Sequence, residues 1–199
     1  IVSRNYKIKF NNKINFLIVE NIHLAIAKLS NLFFEDHDKN YISSLKAPSF
    51  SDDPKDLNIN YYISNGTIVG DNAIIESGVF VGHNCKIGKN VFVGHNSVIL
   101  NSIIGDNVKI ESNCSIGQPG FGFALDTPSN ERIYHKGRVI LQDNVNIGSN
   151  CCIDRGSFND TVIGENTYFD NMCHVAHNVK IGNNCIFAAC TGIAGSAII

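Results

Sequence analysis

The sequence predicts an all-β fold, a parallel β-helix of hexapeptide repeats with about seven coils, preceded by the remnant of a small α/β domain. Three observations predict it. An aliphatic or aromatic anchor recurs every six residues from Leu57: Leu57, Ile63, Val69, Ile75, Val81, Ile87, Val93 and Ile99, then Ile104, Ile110 and Ile116 after a five-residue step, then Leu141, Ile147 and Ile153, and, after a ten-residue step, Ile163, Phe169, Val175, Ile181, Phe187, Ile193 and Ile199. The residue after the anchor is Gly at 70, 82, 88, 94, 105, 117, 148, 164 and 182. The residue three after it is Asn at twelve positions between 60 and 184, and Gly at 66, 78 and 156. Asn and Gly are the residues best suited to positive φ, which explains a chain with 27 Asn among 199 residues. Each hexad is therefore a short flat segment with one inward anchor and a tight turn. Three hexads close one triangular coil, and coils stack at ~4.8 Å along the axis.

The chain before the coils reads differently. Residues 1–40 resemble the end of an α/β domain whose beginning is missing. Ile14 to Val19 is apolar and strand-like, and Asn21 caps a helix running to about Phe34 through Leu24, Ala25, Ala27, Lys28, Leu29 and Leu32. Residues 41–56, with Pro48, Pro54 and three Asp, read as a linker. Residues 57–199 form the β-helix, interrupted by an inserted loop at 118–136. With no Met at position 1, a fragment or a processed product is expected.

Composition excludes several classes. A net charge of −2 and a pI near 6.4 argue against a nucleic-acid partner. No apolar run approaches the ~20 residues of a membrane helix, so no membrane insertion is expected. Five of the seven Cys (85, 114, 151, 173 and 185) fall four residues after an anchor, where a small apolar side chain suits an inward slot. No CxxC occurs, and neither a zinc site nor a disulfide framework is expected. Reduced thiols fit the cytoplasm.

Three histidines, His83, His95 and His177, lie two residues after an anchor and precede Asn. The bland reading makes them surface turn residues, and His83 and His95 fit it. His177 differs in its surroundings. One coil later in its column lies Gly195, and three of the five slots lacking Asn or Gly (Ser102, Pro119, Met172, Cys190 and Ser196) lie near this region. Local breaks in a repeat often mark a site. An imidazole beside a backbone N–H can act as base plus oxyanion donor.

The stretch from Ile153 (IDRGSFNDTVIGENTYFDNMCHVAHNVKIG), followed by AACTGIAGS at 188–196, resembles the UDP-3-O-(3-hydroxyacyl)glucosamine N-acyltransferases of lipid A biosynthesis. GQPGFGFA at 117–124, GRVI at 137–140 and the helix beginning NIHLAIAKL at 21 extend the resemblance over nearly the whole chain. It implies a left-handed β-helix, an α/β uridine-binding domain before it, and a fragment lacking both ends of the family's chain. The implied reaction is transfer of a 3-hydroxyacyl chain from acyl carrier protein to the 2-amino group of UDP-3-O-acylglucosamine. The enzyme would be a cytoplasmic homotrimer with sites between subunits and no cofactor beyond the phosphopantetheine of the acyl donor.

His177 matches the family's catalytic histidine, and the Gly195 N–H is the candidate oxyanion donor. The carboxylate that orients His177 is Asp170 or Asp154. Asp170, in the preceding corner, reaches it only across a subunit boundary, whereas Asp154 lies one coil away in the chain. His174 stands where the family usually has Gln and is a candidate substrate contact, with Phe121 and Phe123 of the insertion, a loop expected to fold over the cleft and line an acyl channel. Two other readings stay open. One is the related O-acyltransferase or another nucleotide-sugar hexapeptide acyltransferase, and the other is an inactive β-helix scaffold.

Overall fold

The computed structural model describes residues 1–3, 16–33, 61–83, 85–125 and 129–199. The linker at 41–56 and the first anchor, Leu57, lie outside them. The chain forms two compact units. One holds Ile1–Lys46 with Gly122–Tyr134, and the other Ala47–Phe121 with His135–Ile199.

The second unit is the parallel β-helix, of about seven turns. Its strands fall on three faces. The first runs in hydrogen-bonded order Tyr62–Ile63, Phe80–Val81, Val98–Ile99, Ser115–Pro119, Cys152–Arg155, His174–Val175 and Gly192–Ile193. The second runs from Ile68–Val69 to Lys180–Ile181, and the third from Ile74–Ile75 to Ile186–Phe187. The anchors pair with anchors throughout: Ile63 with Val81, Ile104 with Ile87 and Leu141, Ile153 with Ile116 and Val175. The anchor pairing survives the five-residue step and the insertion, although the register shifts by one residue between Ile116 and Gln118, where the insertion begins.

Burial explains why the register holds. The anchors from Val81 to Ile181 are almost wholly buried, with Val79, Val91, Val108, Val145 and Val179 filling the corners. A buried Ile or Val stabilises by roughly 1.5–3 kcal/mol, and a one-residue slip would turn every anchor to solvent. Cys85, Cys114, Cys151 and Cys173 sit in the same core, Cys185 is half-buried, and all seven thiols are free.

Asn serves two purposes here. It adopts positive φ at Asn72, Asn90, Asn107, Asn144 and others. Its side chains also form ladders along the axis, Asn72 to Asn90 to Asn107 to Asn144, and Asn166 to Asn184 at 2.7 Å.

The turn column departs from the sequence pattern in three ways. At the short step the left-handed residue is Asn101, and Ser102 is buried at the start of the next strand. At the insertion it is Gly117 rather than Pro119. Gly156 is absent from the positive-φ set. It is needed for space, because a Cβ there would lie 1.6 Å from the Asn159 carbonyl oxygen. Met172, Cys190 and Ser196, which break the chemical pattern, keep its geometry at φ of 59°, 61° and 64°.

The first unit contains the helix Ile22–Phe33 and the parallel pair Val2–Ser3 with Ile18–Val19. The side-chain oxygen of Asn21 accepts the Leu24 N–H at 3.0 Å, the expected N-cap. Residues 122–134 supply an antiparallel pair, Phe123–Ala124 with Glu131–Arg132. The Tyr134 N–H reaches Ser30 Oγ on the helix at 3.3 Å.

Candidate active site

His177 lies in the corner that follows the strand His174–Val175 on the first face. Its ring is held between two glycines. A Cβ on Gly120 would stand 2.7 Å from the His177 Cβ, and one on Gly195 would stand 2.9 Å from Cε1 and 3.0 Å from Nε2. No other residue type leaves the imidazole this room. The Ser196 N–H donates to the His177 carbonyl at 2.9 Å and fixes Gly195 beside the ring. Gly195 is exposed and His177 is half-buried.

The ring also packs against that of His135, 2% exposed, with ring centroids 5.2 Å apart and planes at 65°. His177 Nδ1 is 3.0 Å from Asn178 Oδ1. Neither predicted carboxylate is the group on Nδ1. Asp170 is exposed on the corner after the third face and accepts the N–H of Asn171 at 2.7 Å.

Asp154 is the carboxylate nearer the site. It follows Ile153, whose partner in register is Val175, and its Oδ2 stands 3.8 Å from His174 Nε2. Burial raises its carboxyl above the usual range, while the nearby His174 and His177 pull it back.

Cys152 pairs with His174 across the first face. The grouping of Cys152, His174 and Asp154 looks like a nucleophile with its base. The thiol is not activated, because burial, Asp154 and Cys151 all push it upward, and the thiolate is the reactive form.

Arg155 closes the neck of the insertion. It is 3% exposed, and its guanidinium donates to the carbonyl of His135 at 2.9 Å and that of Gly117 at 3.5 Å. Both ends of the insertion are thereby held against the strand that carries Asp154. Phe121 is 84% exposed. Phe123, in the other unit, lies under the Arg132 guanidinium at 5.7 Å.

The other two histidines are turn residues. His95 pairs with Glu76 at 2.8 Å, and His83 reaches the Asn65 carbonyl at 3.4 Å. Among the described residues, no group of three or more His, Cys, Asp or Glu is arranged to hold a metal ion, and no helix is long and apolar enough to cross a membrane.

The residues that sequence reasoning missed, Gly120, His135, Arg155 and Asn178, all lie in or beside quoted motifs. Their roles depend on contacts between coils, which spacing alone does not reveal.

This repeat and solenoid are those of a hexapeptide-repeat parallel β-helix. The family model "Bacterial transferase hexapeptide (six repeats)" matches residues 66–101 and 160–195. Among curated proteins, the chain is similar to UDP-3-O-acylglucosamine N-acyltransferases. It is 48% identical over 102 residues to that of Caulobacter vibrioides, covering 51% of this chain and 30% of the relative. It is 43% identical over 101 residues to that of Methylobacterium nodulans, covering 51% and 29%. The matched stretch is thus about a third of the relatives' length. Among solved structures, a UDP-N-acetylglucosamine acyltransferase from Bacteroides fragilis matches at 28% identity and TM-score 0.63, over 71% of this chain and 54% of that one. One from Campylobacter jejuni matches at 26% and 0.55, over 66% and 53%.

Proposed function

We propose that the full-length protein is an N-acyltransferase of lipid A biosynthesis, moving a 3-hydroxyacyl chain from acyl carrier protein to the 2-amino group of UDP-3-O-acylglucosamine. The observation that carries this reading is His177, set between Gly120 and Gly195 and beside Asp154, in a chain whose curated relatives bear that name.

The amine attacks the thioester carbonyl, forming the C–N bond and a tetrahedral oxyanion. Neutral His177 takes the ammonium proton through Nε2, and the negative Asp154 favours the resulting imidazolium. The N–H of Gly195 donates to the oxyanion. The C–S bond then breaks and the pantetheine thiol leaves with the proton. A thioester is already activated, so the chemistry needs neither a metal nor a covalent enzyme intermediate. His174 and Phe121 are candidate substrate contacts.

A homotrimer fits the second face. Its outward column runs Ile68, Lys86, Ile103, Ile140, Val162, Lys180 and Ile198, with an apolar stretch of Ile103, Ile140 and Val162 in register between two lysines. Such a stripe calls for a partner, and His177 sits at the corner leading into it. The free thiols fit a cytoplasmic protein.

The second reading is O-acylation of UDP-N-acetylglucosamine, which the names of the structural relatives favour. Both acceptors should be offered with 3-hydroxyacyl-loaded carrier protein and the products weighed by mass spectrometry. Diacyl product from UDP-3-O-acylglucosamine alone supports the N-acyl reading. Acylation of UDP-N-acetylglucosamine alone replaces it, and no product from the folded protein with either acceptor rejects both.

A further inference from the structure

We infer that Asn178 is a positioning residue that holds neutral His177 in the Nδ1–H tautomer, and that the extra loop 156–159 exists to orient it. The inference rests on His177 being the base and deepens that reading.

The geometry leaves one assignment for each atom. The Ser157 backbone N–H can only donate, and it points at one side-chain atom of Asn178, 3.1 Å away. That atom is therefore the carbonyl oxygen Oδ1. The other end of the same amide lies 3.2 Å from the Asn159 carbonyl oxygen, which can only accept, so that end is Nδ2. The Ser157 hydroxyl also reaches Oδ1, at 2.9 Å. An oxygen so fixed cannot donate to His177. The imidazole nitrogen 3.0 Å from it, Nδ1, must carry the proton. In the neutral ring Nε2 is then the lone-pair nitrogen, and Nε2 is the edge that faces Gly195.

The supports of Asn178 come from the shorter of the two places where the repeat is lengthened, the ten-residue step between Ile153 and Ile163. The Lys136 and Gly137 N–H groups donate to the Ser157 carbonyl at 2.6 and 2.9 Å, bracing that loop from the end of the insertion. The Asn178 N–H donates to the buried Thr161 Oγ1 at 2.9 Å. Asn178 is also the turn residue at φ 63°. The same position therefore shapes the corner and sets the proton.

The test uses full-length protein labelled with 15N-histidine, at about pH 8.5, two units above the ordinary histidine pKa. Long-range 1H–15N spectra report which ring nitrogen bears the proton, and His177→Gln identifies the resonance. Wild type should show the Nδ1–H form. Asn178→Gly keeps the left-handed turn but removes the amide. It should lose the tautomer preference and lower kcat on the order of 10–100-fold, with KM little changed. Asn178→Asp restores an acceptor and should recover the Nδ1–H form, with the acid limb of the kcat/KM profile moved to higher pH. An Nε2–H ring in wild type, or an unchanged tautomer in Asn178→Gly, overturns the inference. The spectra read the tautomer whether or not the protein acylates, so a failed acceptor assignment is told apart from a failed inference.

Discussion

Asp154 Oδ2 stands 3.8 Å from His174 Nε2, one strand over on the first face, and its side chain is only 14% exposed. The carboxylate is mostly desolvated, and the nearby His174 and His177 only partly offset that burial. That combination makes Asp154 costly for stability and useful for a reaction that charges His177.

The first prediction follows from the sign of the Asp154 shift. Burial raises its carboxyl above the ordinary value, about 3.9. Between that value and the raised one, the folded protein holds the proton while the unfolded chain does not. Stability is therefore lost as pH rises through this window. Asp154→Asn should unfold at a higher temperature than wild type at pH 7, and the gap should close below about pH 4. Thermal unfolding across pH checks it. A lower Tm for the variant at pH 7 contradicts it.

Gly195→Ala tests the close approach at the ring. The added methyl would stand 2.9 Å from Cε1 and 3.0 Å from Nε2 of His177, forcing the ring to move. Displacement of a reacting group by about 1 Å costs on the order of 100-fold in rate. A loss of that order in kcat, with Tm within a degree or so of wild type because the position is exposed, is the expected result.

Met172 adopts φ 59° without the side chain for it. A residue other than Gly or Asn in this region costs roughly 1–2 kcal/mol. Met172→Asn should stabilise by about 1 kcal/mol, measured as a shift of the denaturation midpoint at constant m-value.

Arg155→Leu removes two donors from buried carbonyls. Stranded acceptors cost about 1–3 kcal/mol each, and the insertion loses the clasp between Gly117 and His135. Lower stability and faster limited proteolysis within 118–136 are expected together. Faster cleavage without loss of stability would mean that the clasp acts on the loop alone.

Much of the fold was legible because a hexad repeat states its own geometry. Ile87, Ile110 and Ile153 are inward by period, and the inward cysteines follow by phase. Turn residues were less legible. Asn101 and Gly117 take the left-handed turns where the step length changes, because the chain turns where the strand register requires it. The candidate site was legible as His177 and Gly195, which share a column one coil apart. Asn178 was hidden because it looks like one more turn Asn, and only the loop at 156–159 gives its side chain another task. Gly120 and Arg155 meet the site through an insertion whose return path no period describes.

The most direct measurement is acyl transfer by the full-length protein, wild type beside His177→Ala, using 3-hydroxyacyl carrier protein and UDP-3-O-acylglucosamine under single-turnover conditions. The account predicts diacyl product from wild type and a loss on the order of 100-fold or more in the variant, with the fold intact. Equal rates in the two would contradict His177 as the base, and with it the chemistry assigned to this cleft.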